Sequence, residues 1–278
     1  MEMNILNEIA GKTRERIEEE KRRLPLPELK ARIREREAEL REGGSRSGEQ
    51  GGREKFSFRK ALASPGMSYI CEVKKASPSK GLIAPDFRYL ETAREYEAAG
   101  AAAISCLTEP FYFQGQDSYL KEIAETVKIP ILRKDFTVDE YMVYQAGFLG
   151  ASAVLLICAI LDDGELRAYR ELAEELGMDA LTEAHDEREL ERALKAGAGI
   201  IGVNNRDLRT FQVDMGNSIR LRGLAPEEIL FVSESGIRSP EDIRILRENR
   251  VDAVLIGETL MRSPHKRAML EELNGGPL

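Results

Sequence analysis

The sequence predicts an α/β fold, a (β/α)8 barrel with an N-terminal helical extension. Three observations carry this. Eight short β-rich runs follow one another from residue 68 onward, helical patterns separate them, and 278 residues suffice for one barrel of ordinary size. Strands that alternate with helices pair in parallel through crossovers, and eight such units close the sheet. An open doubly wound sheet is the alternative, but that fold advertises a glycine-rich first turn. Here the first strand leads into KKASPSKG, with neither GxGxxG nor GxxxxGK[ST].

Residues 1–60 form the expected extension. Ile5, Ile9 and Ile17 recur at multiples of four among the charges of KTRERIEEEKRR, which reads as an amphipathic surface helix. Pro25 and Pro27 stop it, and Pro27 suits the first turn of a second, highly charged helix ending near Glu42. Both charge runs read as solvated helix faces. GGSRSGEQGG (43–52) is dense in Gly and Ser and reads as a flexible loop. The barrel is expected over 61–278, the whole making one domain.

The strands are SYICEVKK, AAISCLTE, PILRKDF, AVLLICA, DALTEAH, IIGVNN, LFVSESG and AVLIGE. Helical patterns such as RYLETAREYEAAG and DGELRAYRELAEELG lie between them. FLGASAVLL and KAGAGIIGV repeat a join in which a helix ends at Gly before a strand, and NRVDAVLIG places Asn and Arg there instead.

The formal net charge of −8 argues against nucleic acid or an anionic membrane as partner. No apolar run reaches the ~18–20 residues that span a bilayer, and the N-terminus is too acidic for a signal peptide. Cys71, Cys106 and Cys158 lie within apolar runs and have no metal-type spacing, so they read as buried, reduced thiols of a cytoplasmic protein. Two histidines, His185 and His265, are too few for a histidine-based metal centre. No metal or cofactor is expected.

Chemistry in such barrels gathers where strands end. Glu72 and Lys74 end the first strand, two apart and on the same side. Glu109 ends the second, Lys134 the third, Glu183 the fifth and Asn204 the sixth, while Glu234, Ser235 and Gly236 end the seventh and Gly257 and Glu258 the eighth. The fourth strand supplies wall. Charges converging on one rim must pair or neutralise. Gly236 and Gly257 stand where barrels bind phosphate through backbone N–H groups, and Lys74 and Arg206 can add positive charge. Phe111 and Phe113 of FYFQG, with Phe136, either cap the core or form a flat slot for an aromatic ring. Phosphate at one end and a ring at the other describe a long, two-headed ligand.

CEVKKASPSKG, LTEPFYFQG, PILRKDF, LTEAHD, IGVNNRDL, SESGI and LIGETLM together resemble the indole-3-glycerol phosphate synthase family, from about residue 56 to about 262. The resemblance implies a carboxy-lyase of tryptophan biosynthesis that works without metal or cofactor. Its substrate is 1-(2-carboxyphenylamino)-1-deoxyribulose 5-phosphate; ring closure, decarboxylation and dehydration give indole-3-glycerol phosphate, CO2 and water. By motif, Lys134 is the general acid at the carbonyl, with Glu72 beside it to hold the ammonium. Lys74 binds the anionic substrate or serves as acid in dehydration. Glu183 is base or electrostatic partner, Asn204 orients hydroxyl groups and Arg206 stabilises the anionic end. Ser235, Gly236, Gly257 and Glu258 line the phosphate, the Glu258 carboxylate turned away from it. Ser77, Glu109, Phe111, Phe113, Phe136, Leu155 and Leu255 complete the pocket, and Glu234 supports it.

Three other readings remain open to test. A phosphoribosylanthranilate isomerase is disfavoured, because the first and sixth strands end in Lys74 and Asn204 where that family, as implied by its pattern, carries Cys and Asp. A Schiff-base aldolase would use Lys134 covalently. A non-catalytic barrel binding a phosphorylated metabolite would not need Lys74, Lys134 and Glu183 together. The expected state is a monomer or weak homodimer.

Overall fold

A computed structural model describes residues 5–42, 54–207 and 210–278. Eight parallel strands close into a barrel in chain order: β1 (Ser68–Val73), β2 (Ala103–Leu107), β3 (Ile131–Lys134), β4 (Ala153–Ile157), β5 (Asp179–Ala184), β6 (Ile200–Asn204), β7 (Leu230–Glu234) and β8 (Ala253–Ile256). Each pairs with the next, and β8 returns to β1 through Ser68 opposite Ala253. The expected (β/α)8 barrel and all eight strands are present.

Among the described residues, three helices precede the barrel: α1 (Ile5–Arg23), α2 (Leu26–Glu42) and α3 (Ser57–Leu62). The crossovers are α4 (Tyr89–Ala98), α5 (Asp117–Thr126), α6 (Glu140–Leu149), α7 (Asp163–Glu175), α8 (Glu187–Lys195), α9 (Gly216–Arg222) and α10 (Pro240–Glu248); α11 (Glu258–Arg262) and α12 (Lys266–Asn274) end the chain. Local sequence starts several of them. Asp162 and Glu165 form a capping box on α7, and Ser239 and Asp242 form another on α10, with Pro240 in its first turn. Gly150 and Gly197 adopt φ of +91° and +83° at the helix-to-strand joins; Arg250 takes the same turn at φ 60° in NRVDAV, a strain a residue with a Cβ bears at a cost of about 1 kcal/mol.

Alternation along the strands builds two cores. Outward residues such as Tyr69, Ile104, Val154, Leu156 and Phe231 meet the helices. Inward residues Ile70, Leu132, Leu155, Leu181, Val232 and Leu255 fill the barrel, with Phe58 and Leu62 of α3 in the same cluster. The boundary expected at residue 60 falls inside α3.

The N-terminal helix departs from expectation. Leu6 and Ile9 of α1 join the inner core, while Ala10 and Ile17 pack with Leu29 of α2 and with Val138, Tyr141 and Met142. Its charges are not all solvated. Arg16 is 12% exposed and pairs with buried Asp135 at 2.9 Å, and Lys21 pairs with Asp139 at 2.5 Å. The barrel rim offers these carboxylates, a partner that periodicity alone does not reveal. The stretch 43–52, read as a flexible loop, lies outside the described residues.

Among the described residues, no helix is long and apolar enough to cross a membrane. Cys71, Cys106 and Cys158 are buried and unpaired, and burial raises each thiol, Cys158 to about 12.

Candidate active site

Two residues beyond the inner apolar layer, the same strand faces turn charged. Ile70, Leu132, Leu181 and Val232 are followed, with period two, by Glu72, Lys134, Glu183 and Glu234. All four line one cavity at the C-terminal mouth of the barrel. In the sheet register Asn204 lies opposite Glu234, Glu183 opposite Gly202 and Leu107 opposite Lys134.

Lys134 sits at the centre. Its Nζ is 3.0 Å from Glu183 Oε2 and 3.1 Å from Glu234 Oε2, with its side chain 13% exposed. Burial alone would lower its pKa; the charges of Glu183, Glu234 and Glu72 outweigh burial and raise it. Burial would also raise Glu183, but Lys134 and His185 win and hold it below the usual carboxylate range. Glu234 goes the other way. Burial is the largest cause, Glu183 and Glu72 add to it, and Lys134 only partly opposes them. Its Oε1 is buried without a hydrogen-bond partner, so the proton that burial favours has room on that oxygen.

Glu72 departs from its expected place. Its carboxylate is hydrogen-bonded to Lys74, two residues on, rather than to Lys134. Side chains at i and i+2 of a strand share a face, which accounts for the pair.

Two glycines are needed here for space. A Cβ on Gly202 would overlap Glu234 Oε1, and one on Gly257 would overlap Glu72 Oε2. In the inner layer Gly202 occupies a place where neighbouring strands carry large side chains, and the Glu234 carboxylate fills the gap.

Beyond this centre the cavity has two ends. Ser77, Arg206, Ser235, Gly236, Gly257 and Glu258 line one. Ser235 and Gly236 adopt φ of 69° and 90° in a turn held by Asn205, whose Nδ2 donates to the Ser235 carbonyl at 3.1 Å. Arg206 donates to the Phe211 carbonyl at 3.2 Å, and its pKa is lowered by burial and by the nearby charge of Arg238. Lys80 and Arg238 also line the cavity. The Glu258 carboxylate pairs with Lys80 at 3.5 Å and Arg262 at 3.2 Å. The other end is apolar: Phe113 and Phe136, with ring centroids 6.3 Å apart, stand with Leu155, Leu255 and, from α1, Ile5, Leu6 and Ile9.

Of the residues singled out by sequence, Glu109 and Phe111 do not line the cavity. The buried Glu109 carboxylate accepts from the backbone N–H groups of Phe111, Tyr112 and Phe113 at 2.9, 2.7 and 3.0 Å, so it shapes the loop that presents Phe113. The Phe111 side chain is 54% exposed, with the Lys12 ammonium 5.9 Å from its ring centre. Residues i and i+2 of the loop turn to different sides because the backbone there is bent, not extended. Sequence reasoning missed Ile5, Leu6 and Ile9, whose helix docks from elsewhere in the chain, and Lys80 and Arg238. It also missed Gly202 and Asn205. The second Asn of NNRD alternates away from the cavity and hydrogen-bonds Ser233 and Ser218.

A model of the family described as indole-3-glycerol phosphate synthase matches residues 6–273. The chain belongs to that family. It is 50% identical over 271 residues to the indole-3-glycerol phosphate synthase of Ruminiclostridium cellulolyticum, covering 98% of this chain and 99% of that one. It is 59% identical over 217 residues to that of Endomicrobium trichonymphae, covering 78% and 84%. A 3-hexulose-6-phosphate synthase structure from Salmonella typhimurium superposes with a TM-score of 0.63 at 13% identity, covering 75% of this chain and 97% of that one; this likeness is one of fold alone. The activity is that of the indole-3-glycerol phosphate synthases, a carboxy-lyase reaction of tryptophan biosynthesis on a phosphorylated small-molecule substrate.

Proposed function

We propose that Lys134 is the general acid of ring closure and that Glu183 and Glu234 govern its proton. The supporting observation is the single ammonium shared by two buried carboxylates at 3.0 and 3.1 Å in the cavity. As the ring carbon bearing the carboxylate attacks the ketone, Lys134 delivers a proton to the ketone oxygen. Loss of CO2 then restores the aromatic ring. A second proton converts the new hydroxyl to leaving water, from Lys74 or Lys134, and Glu183 takes the proton lost in forming the indole double bond. In the resting site Lys134 is held charged by several carboxylates. A proton on Glu234 removes one of them and brings Lys134 nearer the range in which it gives up its own.

Glu72 holds Lys74 at the mouth, where the ammonium meets an anionic group of the substrate. The anthranilate ring takes the apolar end between Phe113, Phe136, Leu155, Leu255 and α1. The phosphate takes the Ser235–Gly236 and Gly257–Glu258 backbone, with Arg206 near. Ion pairs to Lys80 and Arg262 draw the Glu258 carboxylate from that phosphate. Asn204 meets the hydroxyl groups between the two ends, with Ser77 on the phosphate side. Glu109 contributes through its loop.

Lys134→Met tests the assignment: turnover is lost while substrate Kd stays within about tenfold, 1.4 kcal/mol. A large loss of binding with residual turnover would make Lys134 a substrate ligand instead.

We infer further that residues 1–60 form an extension whose first helix closes the substrate pocket of a single barrel domain. The net charge of −8 supports action apart from nucleic acid and anionic membranes, and three buried, unpaired cysteines support a reducing, cytoplasmic setting; we take the protein to act as a monomer or weak homodimer.

A further inference from the structure

Behind Glu183, away from the cavity, lies His185, which does not line the pocket. Four groups stand in file. Lys134 Nζ is 3.0 Å from Glu183 Oε2; His185 Nε2 is 3.3 Å from Glu183 Oε1; and His185 Nδ1 is 2.9 Å from Glu189 Oε2. Each ring nitrogen therefore faces a carboxylate. A neutral imidazole has one donor and one acceptor nitrogen, and the acceptor would confront a carboxylate lone pair. An imidazolium suits both: Nδ1 hydrogen-bonds Glu189, while Nε2 stands at ion-pair distance from Glu183 without hydrogen-bond geometry.

The ring is fixed from several sides. Glu189, in the first turn of α8, also accepts the His185 backbone N–H at 2.9 Å, and its own N–H is capped by Asp186 at 2.8 Å. Asn217 of α9 donates to the His185 carbonyl at 3.0 Å. The charged groups facing Glu183 are Lys134 from β3, Glu234 from β7 and His185 from the end of its own strand; those facing His185 are Glu183 and Glu189. Glu72 of β1 adds its field through Lys134 and Glu234. Burial would lower the imidazole pKa, but the Glu183 and Glu189 carboxylates beside it push it up to about 10.

We propose that His185 is a positioning residue for the reaction, clamping the Glu183 carboxylate from behind so that Oε2 stays on Lys134. Without it, Glu183 keeps one cationic partner, and Glu234 competes for that one. The inference rests on the reading that Glu183 works in the reaction. It differs from simple structural support because His185 meets substrate only through Glu183.

The test compares His185→Ala, His185→Gln and Glu183→Gln, each checked for cooperative thermal unfolding. In His185→Ala, kcat falls about tenfold or more while KM moves less than about threefold. Removing a cation makes Glu183 harder to ionise, so the acid limb of the kcat profile moves to higher pH. His185→Gln, which keeps a donor but no charge, recovers part of kcat without returning that limb. In the Glu183→Gln background, His185→Ala lowers the residual kcat no further. A folded His185→Gln with wild-type kcat and an unmoved acid limb overturns the inference, as does an equal loss in the Glu183→Gln background. Full turnover by Glu183→Gln alone overturns the role of Glu183 itself, so the two failures are distinguishable.

Discussion

Lys134 on β3 and Glu183 on β5 meet at 3.0 Å across the barrel mouth. Neither is adjacent to the other in the sheet, since β4 lies between them. The contact exists because each side chain follows an inward core residue, Leu132 or Leu181, by two positions and so points into the mouth. A lysine proton can be held in so buried a place only against carboxylates, and the barrel delivers them from separate strands.

Gly202 is the space in which the Glu234 carboxylate sits. In Gly202→Ala the new methyl displaces that carboxylate from Lys134. Overpacking lowers stability by about 1–3 kcal/mol, and kcat falls more than KM rises. Urea unfolding with steady-state kinetics measures both; wild-type kcat in the folded variant would deny Glu234 its part in the centre.

Arg16 ties α1 to Asp135, the residue next to Lys134. Arg16→Met leaves a buried carboxylate short of its cation and costs about 3 kcal/mol of stability at neutral pH. KM rises as well, because Ile5, Leu6 and Ile9 no longer seal the apolar end. Equilibrium unfolding in urea and a substrate titration provide the two readings, and an unchanged KM would remove α1 from the pocket's working parts.

Asp135 sets an acid limit on stability. Burial would raise its pKa, but Arg16, Arg133 and the Thr108 hydroxyl hold it below its ordinary 3.8. A folded-state value below the unfolded one stabilises above the unfolded pKa and is lost as pH falls through the folded value. Thermal unfolding between about pH 4 and pH 2 therefore drops more gently in Asp135→Asn than in wild type. Parallel curves would mean that another carboxylate governs the acid transition.

The barrel was legible because its signals are local and repeated: eight β-rich runs, helix ends at glycine, and charges at strand ends. The same period-two rule that predicted the rim also explains why Glu72 reaches Lys74 first, which the family pattern alone did not indicate. What escaped the sequence depends on distant packing. Nothing around Ile5 or Ile9 announces that α1 closes a pocket whose other residues begin at Glu72 and run to Thr259. Gly202 stands in IIGVNN with nothing in its neighbours to show that the Glu234 carboxylate, on the next strand, takes its space. His185 carried a fainter signal, two residues after Glu183 and four before Glu189, which becomes meaningful once the strand end and the first turn of α8 are in place.

The most direct measurement of this chemistry is the appearance of indole fluorescence when 1-(2-carboxyphenylamino)-1-deoxyribulose 5-phosphate is added to the folded protein. The chain has no Trp and 8 Tyr, so the product's emission stands clear of the protein's own. With Lys134 acting as a general acid, the fluorescence rises with one CO2 released per indole formed, and borohydride traps no adduct at Lys134. A folded protein that gives no indole, or one whose Lys134 is trapped as a Schiff base during turnover, would contradict this chemistry.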